Sequence, residues 1–251
     1  MDAAKRVALI TGATGGIGLA FAREYALAHH RKDLILVGRS EGPLRDLVKE
    51  LRKHQGGRIE IIVADLTAPD SGEGVAEQLL RLGMKVDVLV NAASSDHVGD
   101  FVAQDPRNTQ AQITLQCAAM VDLCQMLAPA MVAQRFGTII NVAAAGGSQP
   151  RPYASVAGGV SAFVLSFTQA LRAEVRPFGL RVVAICPAPA RWLGIGASVS
   201  METLVRRSLL AVRLNRATVM PGWRDVAAGL LLRVMPTRLL AALIRRRSPQ
   251  T

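Results

Sequence analysis

Six short runs rich in Val, Ile and Leu recur along this chain of 251 residues, and helical patterns separate them. The runs occupy residues 7–10, 34–37, 59–63, 86–90, 138–142 and 182–185, with helical periodicity over 16–30, 43–54, 72–82, 107–135 and 155–177. They are near-continuously apolar rather than alternating. A strand of that kind needs cover on both faces, which parallel sheets obtain from the helices that connect their strands. With a last strand near 217–220, the chain is predicted to form a doubly wound α/β sheet of about seven parallel strands, with helices on both faces. No linker-like break or internal repeat divides it. It is read as one domain, 1–251, with a core over 5–195 and an Arg-rich helical extension over 196–251.

Composition narrows the classes further. Half the residues are hydrophobic, a fifth are charged, and 22 Gly with 12 Pro exclude a disordered or collagen-like chain. Cys117, Cys124 and Cys186 form no CxxC pair, so neither a disulfide framework nor a metal module is expected. Cys117 and Cys124 stand seven apart on one helical face and suit core packing. The first six residues lead straight into an apolar run too short for a secretory signal, and the chain is read as cytoplasmic. Residues 152–171 carry no charge over a length that would span a bilayer. Their Ser, Thr, Gln and Gly content points instead to a buried helix or a subunit contact. Of the net charge of +11, ten Arg against Glu202 and Asp225 place +8 in residues 201–251. A solvated helix accounts for that better than contact with an anionic membrane or acidic partner. No aromatic side chains interleave the arginines, so nucleic acid is not expected as a ligand.

The first run ends in Thr11-Gly12-Ala13-Thr14-Gly15-Gly16-Ile17-Gly18 and passes into a helix. Glycines are needed where a tight turn brings backbone amides against a pyrophosphate, and the helix behind offers the anion its positive end. A strand before the loop and a helix after it supply the context that such a motif requires. The fold is therefore read as Rossmann-like.

The spacing TGxxxGxG resembles the short-chain dehydrogenase/reductase superfamily, over roughly residues 5–195. That resemblance implies a nicotinamide dinucleotide held by Gly12, Thr14, Gly16, Ile17 and Gly18. Where an NAD-preferring relative carries an acid, this chain has Arg39 and then Ser40, which suits a 2′-phosphate and hence NADP(H). By the same resemblance Asp65 and Leu66 contact adenine, Asn91-Ala92-Ala93-Ser94 stands at the family's NNAG position, and Pro187 follows the sixth strand.

The family's Asn-Ser-Tyr-Lys tetrad does not carry over. Its positions fall on Gln116, Ala144, Ala157 and Ser161, the Pro-Gly after the sixth strand reads Pro187-Ala188, and Trp192 replaces a Thr. No other register restores it, because Lys85 is the last lysine and Tyr153 is the only tyrosine besides Tyr25. Losing one acid/base group costs about 10²–10⁴ in rate. Standard carbonyl reduction is therefore expected to be negligible.

Candidate replacements lie in the loop after the fourth run, where Asp96 and His97, with Tyr153, would form a new acid/base set. His29, His30 and His54 read as solvated. Arg191-Trp192 would shape a substrate pocket or block the nicotinamide site. Three functions follow. The first is an NADP(H)-binding fold, the nucleotide structural rather than redox-active, doing non-redox acid–base chemistry (cyclisation, isomerisation or dehydration) on a hydrophobic small molecule. The second is a non-catalytic partner or regulator of an active relative. The third is an unconventional NADP-dependent oxidoreductase. Family habit implies a homodimer or tetramer through the helices at 107–135 and 155–177. No metal is expected.

Overall fold

Parallel strands cannot be joined by a tight turn, so each must hand over to a covering helix before the next begins. In the computed structural model, which describes residues 7–28, 32–95, 97–143, 152–187 and 199–219, the chain does this throughout. The strands are β1 Val7–Thr11, β2 Asp33–Gly38, β3 Ile59–Val63, β4 Val86–Asn91, β5 Gly137–Val142, β6 Leu180–Ile185 and β7 Thr218–Val219. The helices are α1 Gly16–Ala28, α2 Glu41–Leu51, α3 Ser71–Leu82, α4 Pro106–Ile113, α5 Ala119–Ala133, α6 Ser155–Val175 and α7 Met201–Arg213. All seven strands lie in one parallel sheet in the order β3-β2-β1-β4-β5-β6-β7.

The two faces of the sheet read directly from the period of two along each strand. Ala8 and Ile10, with Leu34 and Leu36, pack under Phe21 of α1, Leu44 and Leu47 of α2 and Val205 of α7. Val7 and Leu9, with Ile35 and Val37, pack under Val75 of α3, Leu123 and Met131 of α5 and Val164 of α6. β1 and β2 are buried at every position. The Arg-rich extension joins this architecture where it is described: β7 pairs with β6, and Arg206 of α7 holds Glu24 of α1 at 2.9 Å.

The helical stretch expected over 107–135 is interrupted. Thr114–Ala118 winds as a π-helix between α4 and α5, and the Ala119 amide reaches back to the Thr114 carbonyl. Hydrophobic periodicity runs through such an insertion without registering it, because one extra residue rotates the pattern by only a fraction of a turn. The stretches Pro106–Ala133 and Ser155–Phe178 are each long and apolar enough to cross a membrane, yet both lay buried side chains against the sheet.

A polar chain crosses the otherwise apolar core. Asn91 and Asn141 are register partners at the ends of β4 and β5, and Asn91 Nδ2 donates to Asn141 Oδ1 at 2.9 Å. Asn141 Nδ2 donates in turn to the Thr168 hydroxyl of α6 at 3.0 Å, which donates to the Val164 carbonyl at 2.6 Å. Cys124 Sγ sits beside both amides, and burial pushes its thiol up to about 12. The thiol therefore stays protonated at neutral pH and is not a nucleophile. Replacing Asn141 by Leu removes the middle link and strands the Asn91 amide. The expected cost is about 1–3 kcal/mol, read as a lowered urea midpoint with an unchanged slope.

Candidate functional site

The order of the sheet places β4, fourth in sequence, beside β1, so the connections leaving these two strands diverge and open a crevice at their carboxyl ends. The Thr11 hydroxyl closes the floor. It donates to the Val90 carbonyl at 3.3 Å and accepts from the amides of Ala92 and Ala93 at 3.0 and 3.1 Å. This stitch brings the glycine loop against the segment after β4. Gly12 adopts φ +64°, and a Cβ there would fall 2.7 Å from the Ala93 Cα. At Gly18, in the first turn of α1, a Cβ would fall 2.2 Å from the Gly12 carbonyl oxygen. Both positions exclude any side chain, which is how the loop turns within the width of a backbone.

Above this floor lies a groove of about 540 Å³. Gly12, Thr14, Gly16 and Ile17 form one wall, Arg39 and Leu66 a second, and Ser94, Ser95 and His97 a third. The exposed sides of Gly15 and Gly16 are open: a Cβ at either would meet nothing within 4 Å. α1 has no acidic side chain in its first turn, so its positive end is left for a ligand. Asp65 stands near the Arg39 wall. The Thr67 backbone amide and hydroxyl donate to its carboxylate at 2.9 and 2.7 Å. These bonds, with burial opposing and Arg39 assisting, hold it below the usual carboxylate range.

Among the residues singled out from the sequence, Gly12, Thr14, Gly16, Ile17, Arg39, Leu66 and His97 therefore share one groove. Others stand elsewhere. Gly18 acts beneath the loop by its lack of a side chain. Ser40 occupies the exposed N-cap of α2 with no side-chain cap bond, and Pro187 and Tyr153 are not groove-lining residues. Tyr153 has a left-handed backbone, φ 64°, and its carbonyl accepts the Gly99 amide at 2.7 Å, which ties its segment to the His97 loop. The Asn91 side chain turns under the groove into the polar chain. Its Oδ1 has no hydrogen-bond partner, and it lines, with Gln116, a cavity of about 10 Å³, the room of one water. Ala157 and Ser161 lie on one fully buried face of α6, where the Ser161 hydroxyl donates to the Ala157 carbonyl at 2.8 Å. His54 is exposed, as expected. Asp96, Ala144, Ala188, Arg191, Trp192, His29, His30 and the sequence after residue 219 lie outside the described residues.

The wall contributed by α4 and the π-helical stretch that follows it has no counterpart in the sequence motifs. Asn108, Ala111 and Leu115 face the groove together. Their spacing of three and four residues is the signal that marks a shared helical face, though it does not say which face meets a ligand.

A family model described as short chain dehydrogenase matches residues 6–193. The chain belongs to this family. Among short-chain dehydrogenases it is similar to the 17-beta-hydroxysteroid dehydrogenase type 3 of Rattus norvegicus. The two are 27% identical over 240 residues, 92% of this chain and 77% of that one. It is also 30% identical over 182 residues to a very-long-chain 3-oxoacyl-CoA reductase of Phaeosphaeria nodorum. That match takes in 71% of this chain and about half of the reductase's length, 53%. Among solved structures, a short-chain dehydrogenase from Sphingobium yanoikuyae in complex with NADPH aligns with a TM-score of 0.76 at 29% identity. It covers 92% of this chain and 96% of that one.

The glycine geometry yields a paired expectation. Gly12→Ala meets backbone on one side and an unfavourable φ on the other, and should cost at least about 2 kcal/mol. Gly15→Ala, exposed and unobstructed, should change stability by no more than about 0.5 kcal/mol. Urea denaturation of the two variants measures both.

Proposed function

We propose that the chain binds NADP(H) in this groove and reduces or oxidises a hydrophobic small molecule, with proton transfer at His97 instead of a Tyr-Lys pair. The observation that carries the reading is that His97 lines the same groove as the glycine loop and Arg39. The residues fit the nucleotide. Gly15 and Gly16 leave room at the open end of α1 for a pyrophosphate, and the presence of Arg39 on the groove wall supports a contact to a 2′-phosphate. NADP(H), when bound, supplies or accepts a hydride. For reduction, His97 as imidazolium gives its proton to the substrate's carbonyl oxygen as the alcohol forms, then regains one from solvent.

The family tetrad is absent on this reading. Lys85 is the last lysine in the chain, and Ala157 and Ser161, where the Tyr and Lys would stand, are buried at 2% and 0% exposure. Relatives named for a hydroxysteroid and a very-long-chain 3-oxoacyl-CoA support hydride exchange on an apolar substrate. So does the loop beyond His97, where Val98, Phe101 and Val102 are exposed large apolar side chains. The missing Tyr-Lys pair favours a second reading, non-redox acid–base chemistry with the nucleotide as support.

Two measurements test this. Arg39→Ala should weaken NADPH binding about 10–100-fold, the worth of one charge-assisted contact, and leave NADH binding unchanged. Equal loss for both nucleotides would remove Arg39 from 2′-phosphate recognition. Turnover of hydrophobic ketones with NADPH deuterated at the nicotinamide C4 should place deuterium in the product, and His97→Ala should slow it about 10²–10⁴-fold. Product without deuterium or NADPH consumption supports the non-redox reading, and no turnover of any substrate supports a non-catalytic partner.

A further inference from the structure

Read along the sequence, the excess charge of residues 201–251 suits a solvated helix. The fold joins part of it to arginines from the middle of the chain. Three connections meet at the corner where β5, β6 and β7 begin, the end of the sheet opposite the groove. β5 and β6 start level, Gly137 opposite Leu180. Arg135, before β5, donates from Nη2 to the Pro177 carbonyl at 3.4 Å. Arg172, in the last turn of α6, donates to the carbonyls of Val182 on β6 and Asn215 before β7, at 3.3 and 2.6 Å. Across residues 134–137, 172–181 and 213–218, six arginines stand against one acid, Glu174.

Arg135 and Arg172 are accounted for, since each spends its guanidinium on backbone carbonyls. Arg176, Arg181, Arg213 and Arg216 are exposed, and none makes an ion pair with a described residue. On the far side of the sheet, by contrast, Arg23 is matched by Glu50, Arg45 by Glu41 and Arg81 by Glu77. The helix dipoles welcome Arg176 and Arg213 at the carboxyl ends of α6 and α7, but they do not reach Arg181 on β6. Two large apolar side chains stand in the same connections: Phe178, 45% exposed, and Leu214, 56% exposed. Arginines beside exposed apolar tips suit an anionic lipid surface, where guanidinium groups meet phosphate headgroups and the tips enter the acyl boundary. A soluble polyanion would engage the arginines and leave Phe178 and Leu214 in water. We propose that this corner, Arg176, Arg181, Arg213 and Arg216 with Phe178 and Leu214, docks on an anionic lipid bilayer. The groove opens at the other end of the sheet, so docking leaves it facing solution and does not rest on the nucleotide reading.

Cosedimentation of the full chain with vesicles tests the proposal, using phosphatidylcholine alone and phosphatidylcholine mixed with phosphatidylserine. The chain should bind the mixed vesicles at least about 100-fold more tightly than the neutral ones, and rising salt should release it. Each basic side chain near an anionic surface is worth about fivefold in affinity. Arg176→Gln/Arg181→Gln/Arg216→Gln should therefore bind the mixed vesicles about 100-fold more weakly. Phe178→Ala should lose about 10-fold on vesicles and nothing on heparin. Far-UV circular dichroism of both variants should match the wild type, and saturating vesicles should leave NADPH affinity unchanged. Failure of the wild type to bind mixed vesicles overturns the proposal. So does wild-type vesicle binding in the triple variant, which would put the lipid contact elsewhere in the chain. Vesicle binding that Phe178→Ala does not weaken, with heparin bound as tightly, overturns it in favour of an acidic macromolecule. Competition between vesicles and NADPH overturns it as well, because the lipid would then occupy the groove. Should the vesicles behave as expected while no variant binds NADPH, docking stands and the nucleotide reading fails.

Discussion

A single hydroxyl, that of Thr11, joins the carboxyl ends of β1 and β4, and the groove exists because those ends are held together. Its oxygen serves three backbone groups at once, the carbonyl of Val90 and the amides of Ala92 and Ala93. With β4 drawn in this close, the glycine loop has no room for a Cβ at Gly12, and the chain after β4 must leave across the mouth of the crevice. Both walls of the groove thus descend from the pairing of two strands distant in sequence, which Thr11 fastens at its carboxyl end.

Charge is used sparingly around this opening. Arg39 and the free end of α1 face inward, and the carboxylate of Asp65 is occupied by Thr67. Beneath the floor the polarity is neutral, an amide-to-amide-to-hydroxyl chain from Asn91 to Thr168. Neutral dipoles in a buried sheet avoid the heavy desolvation that an ion pair would incur there. They still fix the relative positions of β4, β5 and α6.

Much of the architecture was legible in the residues themselves. The strands were readable because their β-branched runs are continuous, and the first-wall glycines because their spacing has a steric cause. Local patterns could not show what arises from contacts across the sheet. Asn91 read as a cofactor contact, whereas its register opposite Asn141 turns the side chain into the core. The helix expected over 107–135 gave no sign of its π-helical turn, since the apolar stripe continues on either side. Tyr153 read as a member of the site, but it meets the His97 loop through its backbone carbonyl. His97, singled out with Asp96 and Tyr153 as a candidate acid/base set, lines the groove.

The groove's described lining runs from Gly12 to Leu115, so the described walls are all encoded in the first half of the chain. β5, α6, β6, α7 and β7 come later and buttress it from one side. Substitutions among the described residues of the second half can therefore change what surrounds the groove while its described walls keep their own side chains.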